Sequence, residues 1–379
     1  MSPSPSDPIR RRGTRARTRM IVPAASAAAL LISTAAGAQE APGGLALTVV
    51  AESDTMVWNA VAVDGDRTFV AGPRWTGSKG PAVGIARGNT VSPYPDASWN
   101  GWRPGIDPAH TFVNVNAIHL DPDGALWVVD TGAPDFGGDP LAHAAKLVKI
   151  DLATDKVVRV YPLAPDVARP GSYVDDVRFH GRHAYLTDAG QPGLIVLDLD
   201  SGAARRVLDG HPSVTAPADR DIVLSSRVLR TADGKPLRVN SDPFERSPDG
   251  RWLYYAPLEG PWSRIETRYL DDASLGDAAL AAHVEPWADL PPVGGTVMDA
   301  DGSLYFSDLA TDAIRRRAPD GTITTVVQDS RLHWVDAPFL DSRHRLWLAV
   351  PQMDRSPNFS DADKPREWPV RLYRIDLPK

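Results

Sequence analysis

The feature that most constrains this chain is a six-fold repeat of an apolar strand, an Asp/Gly-rich turn and a second apolar strand. One copy runs through Asn116–Leu120 into Asp121-Pro122-Asp123-Gly124, and another runs through Gly294–Met298 into Asp299-Ala300-Asp301-Gly302. A unit that recurs roughly every 40–65 residues is typical of radial or solenoid folds. Six hairpin-containing units therefore predict an all-β fold, a six-bladed β-propeller.

The second half of each unit predicts another hairpin, which completes a four-stranded blade. Leu147–Leu152 and Val157–Tyr161 are one such pair, joined at a Thr-Asp turn. The last unit stops after the third-strand pattern Val370–Leu377, whereas Leu45–Val50 near the start has no hairpin partner. We expect this N-terminal strand to enter the last blade and close the ring, which removes an exposed sheet edge.

Residues 1–38 have the pattern of a secretory signal peptide. Six arginines precede an apolar run over 21–36, and Ala36-Gly37-Ala38 offers a small-residue cleavage site. An uncleaved membrane anchor is the alternative, which the shortness of the apolar run disfavours. We predict a single propeller domain over 39–379, secreted or periplasmic, monomeric and free of the membrane after cleavage.

Charge and cysteine content exclude several classes of function. The leader carries six Arg and one Asp, so its removal leaves 35 basic and 47 acidic groups, a balance of −12. Such a chain is poorly suited to nucleic acid or anionic lipid. The chain has no cysteine, which excludes disulfides, thiol catalysis and Cys-ligated zinc. The expected partner is a small organic molecule.

The position five residues before each turn carries an unusual set of polar residues, although Asn and Asp are depleted in strands. These axial positions are Asn59, Asn116, Asp175, Asp242, Gly294 and Asp336. In a propeller they face one another around the channel, where three carboxylates repel unless protons or a cation neutralise them. Hard oxygen ligands suit Ca²⁺ or Mg²⁺ best and Mn²⁺ next, and Ca²⁺ is the ion we expect. We predict a divalent cation held by Asn59, Asn116, Asp175, Asp242 and Asp336; the alternative is local backbone capping around water.

The loops that follow the second strands are long, and they emerge at the end where the inner strands begin. They span 73–81, 131–143, 257–264 and 351–369, and an insert over 210–240 could cap the same mouth. Long loops on one face of a rigid scaffold often carry binding, although variable decoration is the alternative. The predicted aromatic rim for a small ligand consists of Trp75, Phe136, Trp262, Phe359 and Trp368.

Several segments resemble the major royal jelly / yellow protein family, among them Leu126–Gly132 (LWVVDTG) and Gly193–Leu199 (GLIVLDL). The resemblance implies a secreted six-bladed propeller associated with pigment chemistry such as dopachrome conversion and with binding of small aromatic amines. The wider gluconolactonase-like superfamily implies a divalent cation in the channel, bound by Glu, Asn and Asp. Asn59 stands where those enzymes carry Glu, which puts lactonase activity in doubt more than metal binding.

Three functions follow from these observations. The first is a metal-assisted enzyme on a small cyclic substrate, a lactonase-like hydrolase or a dopachrome-type isomerase, with Asp242 or Asp175 as ligand or catalytic base. The second is a non-catalytic binding protein for small aromatic ligands. The third is a protein-interaction platform.

Overall fold

Six antiparallel sheets of at least four strands follow one another along the chain, as the repeat predicts. They are seen in a computed structural model that describes residues 39–40, 45–121, 123–359 and 364–378. The signal peptide predicted over 1–38 lies outside the described residues. In blades 1 to 5 the chain runs from the inner strand at the axis to the outer strand at the rim. The predicted all-β, six-bladed propeller is confirmed.

The strands of the first five blades have the following bounds. Blade 1 consists of Ala60–Asp64, Arg67–Ala71, Val83–Arg87 and Thr90–Pro93, and blade 2 of Val115–Leu120, Ala125–Asp130, Lys146–Asp151 and Lys156–Pro162. Blade 3 consists of Val174–His180, His183–Asp188, Gly193–Asp198 and Ala204–Val207. Blade 4 consists of Ser241–Arg246, Trp252–Pro257, Trp262–Glu266 and Glu285–Ala288, and blade 5 of Val293–Met298, Leu304–Asp308, Ala313–Arg317 and Ile323–Gln328.

Blade 6 joins the two ends of the chain. Its first three strands are Phe339–Leu340, Arg345–Val350 and Val370–Asp376. The N-terminal strand Ala46–Ser53 pairs antiparallel with the third of these, and Gln39–Glu40 pairs with the N-terminal strand in turn. The prediction that an N-terminal strand completes the last blade is confirmed.

Within the described residues, little regular structure lies outside the blades. A two-stranded ribbon within the 210–240 insert pairs Val223–Leu224 with Arg227–Val228. The short helices are Thr267–Asp271 and Asp277–Ala281, and the 3₁₀ turns are Arg74–Thr76, Pro108–His110, Pro212–Val214, Ser330–Leu332 and Met353–Arg355. None of the helices in the described part of the chain is long and apolar enough to cross a membrane.

The core lies between adjacent blades, because each central strand is covered on both faces. All six residues of the second strand of blade 2 are buried, whereas only Tyr161 is buried in the outer strand Lys156–Pro162. Strands buried on both faces lose the alternation of apolar and polar residues, which explains near-continuous runs such as ALWVVD. Apolar side chains of blade 2 and blade 3, such as Trp127 and Leu197, pack in one shared cluster.

Candidate functional site

The inner strands of blades 2 to 5 are irregular at their axial residues. The strand pairing in each shifts register at this point: it skips Asn116 in blade 2 and is interrupted at Asp175, Asp242 and Gly294 in the next three. Such β-bulges bend the strand and redirect a side chain. An Asn or Asp at this position therefore leaves the ladder and faces the channel, which explains why strand propensity did not select an apolar residue there.

All six axial positions line one constriction of the central channel, which we call the neck. Its volume is about 20 Å³, which is space for about one water molecule. The axial residue of blade 5 is Gly294, because a Cβ atom there would lie 2.5 Å from the carbonyl oxygen of Val335. Close backbone approach therefore explains the one axial position that carries neither Asn nor Asp.

A chain of hydrogen bonds connects the axial residues to the loops above them. Asn59 Nδ2 donates to Asn116 Oδ1 (3.3 Å), and Asn116 Nδ2 donates to Asp175 Oδ1 (2.6 Å). Tyr173 Oη also donates to Asn116 Oδ1 (2.8 Å) and accepts from Trp75 Nε1 (2.9 Å). Asn59 is buried, and its Oδ1 has no partner among the described residues. One oxygen at the neck is therefore available for a cation or a donor.

The three axial carboxyl groups resist ionisation. Burial, followed by the nearby carboxylates Asp242 and Asp176, raises the pKa of Asp175 well above its usual value. Burial and then Asp336 do the same for the pKa of Asp242, and burial raises the pKa of Asp336 to about 7. Asp175 and Asp336 accept hydrogen bonds from neutral groups, the Asn116 amide and the Ala337 backbone N–H. This acidic floor favours protons, a cation or a cationic ligand group.

A cavity of about 390 Å³ opens above the floor, and we call it the mouth cavity. Each of the four long loops contributes to its wall, and so does the 210–240 insert, as its predicted capping position requires. The apolar and aromatic lining residues are Trp75, Phe136, Tyr173, Leu237, Val239, Leu258, Trp334, Met353 and Phe359. Apolar walls above a few convergent polar groups are characteristic of small-molecule sites.

The structure brings three of the five predicted rim aromatics together. The ring centroids of Trp75 and Phe136 are 4.7 Å apart, and Phe359 lies 5.2 Å from Phe136. Trp262 instead packs in the core of blades 4 and 5, where its ring meets Trp287 edge-on. Trp368 is 43% exposed and lies over the Arg366 guanidinium. Neither of these two lines the mouth cavity, because the first belongs to a regular strand and the second points into solvent.

Two lining aromatics were missed by the sequence reasoning, Tyr173 and Trp334. Each precedes an axial aspartate by two residues, Asp175 in one blade and Asp336 in the other. The same repeat alignment therefore contained a signal for them. Met353 and Leu258 are also lining residues, but the long loops that carry them differ in length and sequence from their counterparts in the other units, so the repeat alignment does not identify them.

The side chains at the neck are of the type that binds a hard divalent cation, but their positions suit one less well. Three carboxylates and two amides are the oxygen donors that Ca²⁺ prefers, and the Oδ1 of one amide, Asn59, is unpartnered. Among the residues that the structure describes, however, no group of three or more His, Cys, Asp or Glu side chains is placed to hold a metal ion. A cation here would depend on the amide oxygens or on movement of the floor.

Fold and site together define a class of protein: a six-bladed propeller with a small-molecule-sized cavity at one end of its axis. Residues 113–358 match the family model described as major royal jelly protein. The chain therefore belongs to the major royal jelly protein family, which confirms the resemblance seen in its sequence.

Relatives and solved structures agree with this assignment. Protein yellow of Drosophila subobscura is 31% identical over 297 residues, covering 70% of this chain and 50% of the relative, and Protein yellow of Drosophila melanogaster is 27% identical over 298 residues, covering 70% and 52%. The chain thus spans about half the length of the curated relatives it matches. A gluconolactonase from Xanthomonas campestris has a similar fold, with a TM-score of 0.52 at 14% identity over 89% of this chain and 91% of that one.

Proposed function

We propose that this protein binds a small organic molecule in the mouth cavity, one with an aromatic body and a positively charged end. One observation carries the proposal: an aromatic and apolar wall stands above three half-buried carboxyl groups whose pKa values are all raised. A ligand ammonium would relieve the repulsion within the floor, since an opposite charge nearby stabilises the ionised carboxylate.

The dimensions of the mouth cavity support this ligand class. Its volume of about 390 Å³ lies near the lower end of the usual range for ligand sites. Trp75, Phe136 and Phe359 offer both ring faces and ring edges, since their mutual orientations are tilted or T-shaped. Aromatic pairs in such geometries contribute about 0.5–1.5 kcal/mol beyond their buried area. The site therefore suits a single-ring ligand better than a long chain.

Calorimetric titration with benzylamine and with its neutral analogue benzyl alcohol tests this proposal. We expect benzylamine to bind more tightly, and Asp242→Asn to weaken its affinity at least about tenfold, which corresponds to about 1.4 kcal/mol. Asp376→Asn, which alters a mostly exposed carboxylate on blade 6, should leave the affinity unchanged. Equal affinity of the wild type and Asp242→Asn for benzylamine would contradict the proposal.

A metal-assisted enzyme is the second candidate, favoured by the unpartnered Oδ1 of Asn59 beside the acidic floor. Asn59, Asn116, Asp175, Asp242 and Asp336 would hold Ca²⁺, and a bound cation supplies polarisation of a carbonyl oxygen. Within this chain, Asp242 or Asp175 would accept or return a proton to the substrate, because raised carboxyl pKa values bring proton exchange closer to neutral pH.

Turnover assays separate the two candidates. If the protein is a metal-assisted enzyme, it converts glucono-δ-lactone or dopachrome. This activity falls to background after chelation and returns with Ca²⁺, Mn²⁺ or Zn²⁺. Asp242→Ala lacks the activity. A chelated protein that retains benzylamine affinity but turns over neither substrate under any of these conditions identifies a binding protein instead.

Export is a further part of the proposed function and rests on the sequence of residues 1–38. A protein that works outside the cytoplasm would lose its leader between Ala38 and Gln39. Mass spectrometry of protein recovered from a secreting host should find Gln39 at the mature N-terminus; an intact Met1 on functional protein would contradict it.

A further inference from the structure

A second cavity, of about 410 Å³, lies at the other end of the propeller axis. The later residues of all six inner strands line it, whereas the first residues of the same strands form the neck. We call it the opposite cavity. Asp176, Thr296 and Ala337 line both this cavity and the neck, so the neck separates the two cavities. With a volume of about 20 Å³, the neck is too narrow for an organic ligand to pass.

The wall of the opposite cavity combines apolar and charged side chains, with aromatic rings on two sides. Phe179 of blade 3 and Phe339 of blade 6 are partly buried, and both line the cavity. Ile118, Leu120 and Met298 add aliphatic surface between them. Charged and polar side chains line the rest of the cavity, so it offers both apolar surface and ionic groups to a small molecule.

The acidic groups of the opposite cavity are already engaged. Arg178 donates to Glu245 through Nε (3.0 Å) and Nη2 (2.7 Å), and to Asp176 through Nη1 (2.7 Å). Asp299 Oδ2 lies 3.0 Å from Nε2 of His344. The Arg178–Glu245 pair ties the inner strands of blades 3 and 4 together, and each of the three carboxylates has a partner.

Arg246 is the exception among the charged lining residues. Its guanidinium forms no hydrogen bond or ion pair with any residue that the structure describes, although it lines the cavity and is only partly exposed. Arg246 Nη1 and His180 Nε2 both lie close to Gly250, where an added Cβ atom would meet them at 3.0 and 2.6 Å. The tight turn therefore restricts where the guanidinium can go.

His119 supplies a second unused polar group in the same cavity. Its ring lies 5.7 Å from that of Phe179, and its nitrogens bond to no described residue. Burial, then the charges of Arg178 and Arg246, lowers the pKa of His119 to about 3, so the imidazole is neutral. A neutral imidazole offers one donor and one acceptor.

We propose that the opposite cavity binds a small organic anion, with its carboxylate on Arg246 and its apolar body against Phe179 and Phe339. Guanidinium and carboxylate groups match in planar, charge-assisted geometry, and His119 can donate one further hydrogen bond. The two ends of the axis thus select ligands of opposite charge, cationic at the mouth and anionic at the opposite cavity.

Benzoate is the probe, with benzyl alcohol as its neutral analogue, and binding is followed by calorimetry at fixed ionic strength. We expect benzoate to bind at least tenfold more tightly than benzyl alcohol, and Arg246→Gln to remove this preference. Arg251→Gln is the matched control, because it alters an exposed arginine of the same blade. Asp242→Asn should weaken benzylamine and leave benzoate unchanged, so failure at one cavity is distinguishable from failure at the other.

A second variant keeps the proposal testable should Arg246→Gln fail to fold. Ala300 is exposed on a turn at the rim of the opposite cavity, so Ala300→Trp blocks the entrance without disturbing the core. Loss of benzoate binding in this variant, with benzylamine binding retained, supports the proposal. The proposal is overturned if the wild type does not bind benzoate at 10 mM, a concentration that corresponds to a binding free energy of roughly −3 kcal/mol. It is also overturned if Arg246→Gln and Ala300→Trp bind benzoate as tightly as the wild type does.

Discussion

At the scale of single residues, carboxyl groups whose pKa values are raised by burial dominate the chemistry of this molecule. Glu259 is the clearest case outside the axial positions. It is fully buried next to Leu258 in the blade 4 loop, and neither of its Oε atoms has a hydrogen-bond partner among the described residues. Burial raises the pKa of Glu259 to about 7. The folded state therefore binds a proton that the unfolded state releases at a lower pH.

Glu259→Gln should stabilise the protein at pH 8. A raised carboxyl pKa means that stability is highest below the unfolded pKa and falls as pH rises between about 4.5 and 7. The neutral amide removes that loss, with an expected gain of about 1–3 kcal/mol in the free energy of unfolding at pH 8. Urea denaturation at pH 5 and pH 8 measures it. Glu367→Gln, at a side chain that is 75% exposed, is the control; equal pH slopes for wild type and Glu259→Gln would refute the reasoning.

The sequence predicted which residues line the axis, but it did not predict how the side chains around them pack. The repeat alignment places Asn59, Asn116 and the three aspartates around one channel because each copy has the same distance to its turn. The positions of Trp262 and Glu259 depend on how individual loops pack, and no repeat fixes that. The unpartnered state of Arg246 is likewise a property of three-dimensional contacts alone.

At the scale of elements, one histidine fixes the long loop of blade 6 to blade 5. His333 Nδ1 lies 2.9 Å from Asp312 Oδ1, and its Nε2 lies 2.9 Å from Asp354 Oδ2. Asp354 belongs to the same loop as Met353 and Phe359, which line the mouth cavity. Burial alone would lower the pKa of His333, but the two carboxylates outweigh it and raise the pKa to about 9.

His333→Gln should destabilise the protein at neutral pH and loosen this wall of the mouth cavity. A histidine pKa raised by folding contributes stability that is complete below pH 6.5 and is lost as pH rises through about 9. We expect a cost of about 2–3 kcal/mol at pH 6 that shrinks towards pH 10. Urea denaturation at both values checks it, with the exposed His110→Gln as control. A cost that does not change with pH would rule out the charge as its cause.

The order of the strands could be predicted from the sequence, but the β-bulges in the inner strands could not. Asp/Gly turns and apolar runs marked most strands, because turn chemistry is local. Asn or Asp at three of the bulged axial positions marked these residues as unusual for a strand, but the sequence did not indicate that the strand pairing shifts register there. The same bulges turn the site residues into the channel.

At the scale of the whole molecule, stability depends on closure of the ring by the N-terminal strand. Leu47 of this strand is 2% exposed and packs with apolar residues of blades 5 and 6, whereas Val49 of the same strand is 39% exposed. Closure removes an edge that would otherwise pair with other chains. The repeat predicted this closure because the last unit has only three strands and the N-terminal strand has no hairpin partner.

Leu47→Asp should therefore open the ring, and Val49→Asp should not. A charge buried without a partner costs several kcal/mol, so we expect a loss of more than about 3 kcal/mol at Leu47 and less than about 1 kcal/mol at Val49. Urea denaturation gives both values, and light scattering reports aggregation through the exposed edge. Similar losses in the two variants would show that blade 6 does not need this strand.

The central claim is that the axis carries a site for a small aromatic cation between the loop aromatics and the acidic floor. Anomalous scattering from crystals soaked with 4-bromobenzylamine tests it most directly. We predict a bromine peak within the mouth cavity beside Trp75 and Phe359, with the amine directed towards Asp175, Asp242 and Asp336. Bromine found only outside the mouth cavity, or an empty mouth cavity in crystals saturated with the compound, would contradict it.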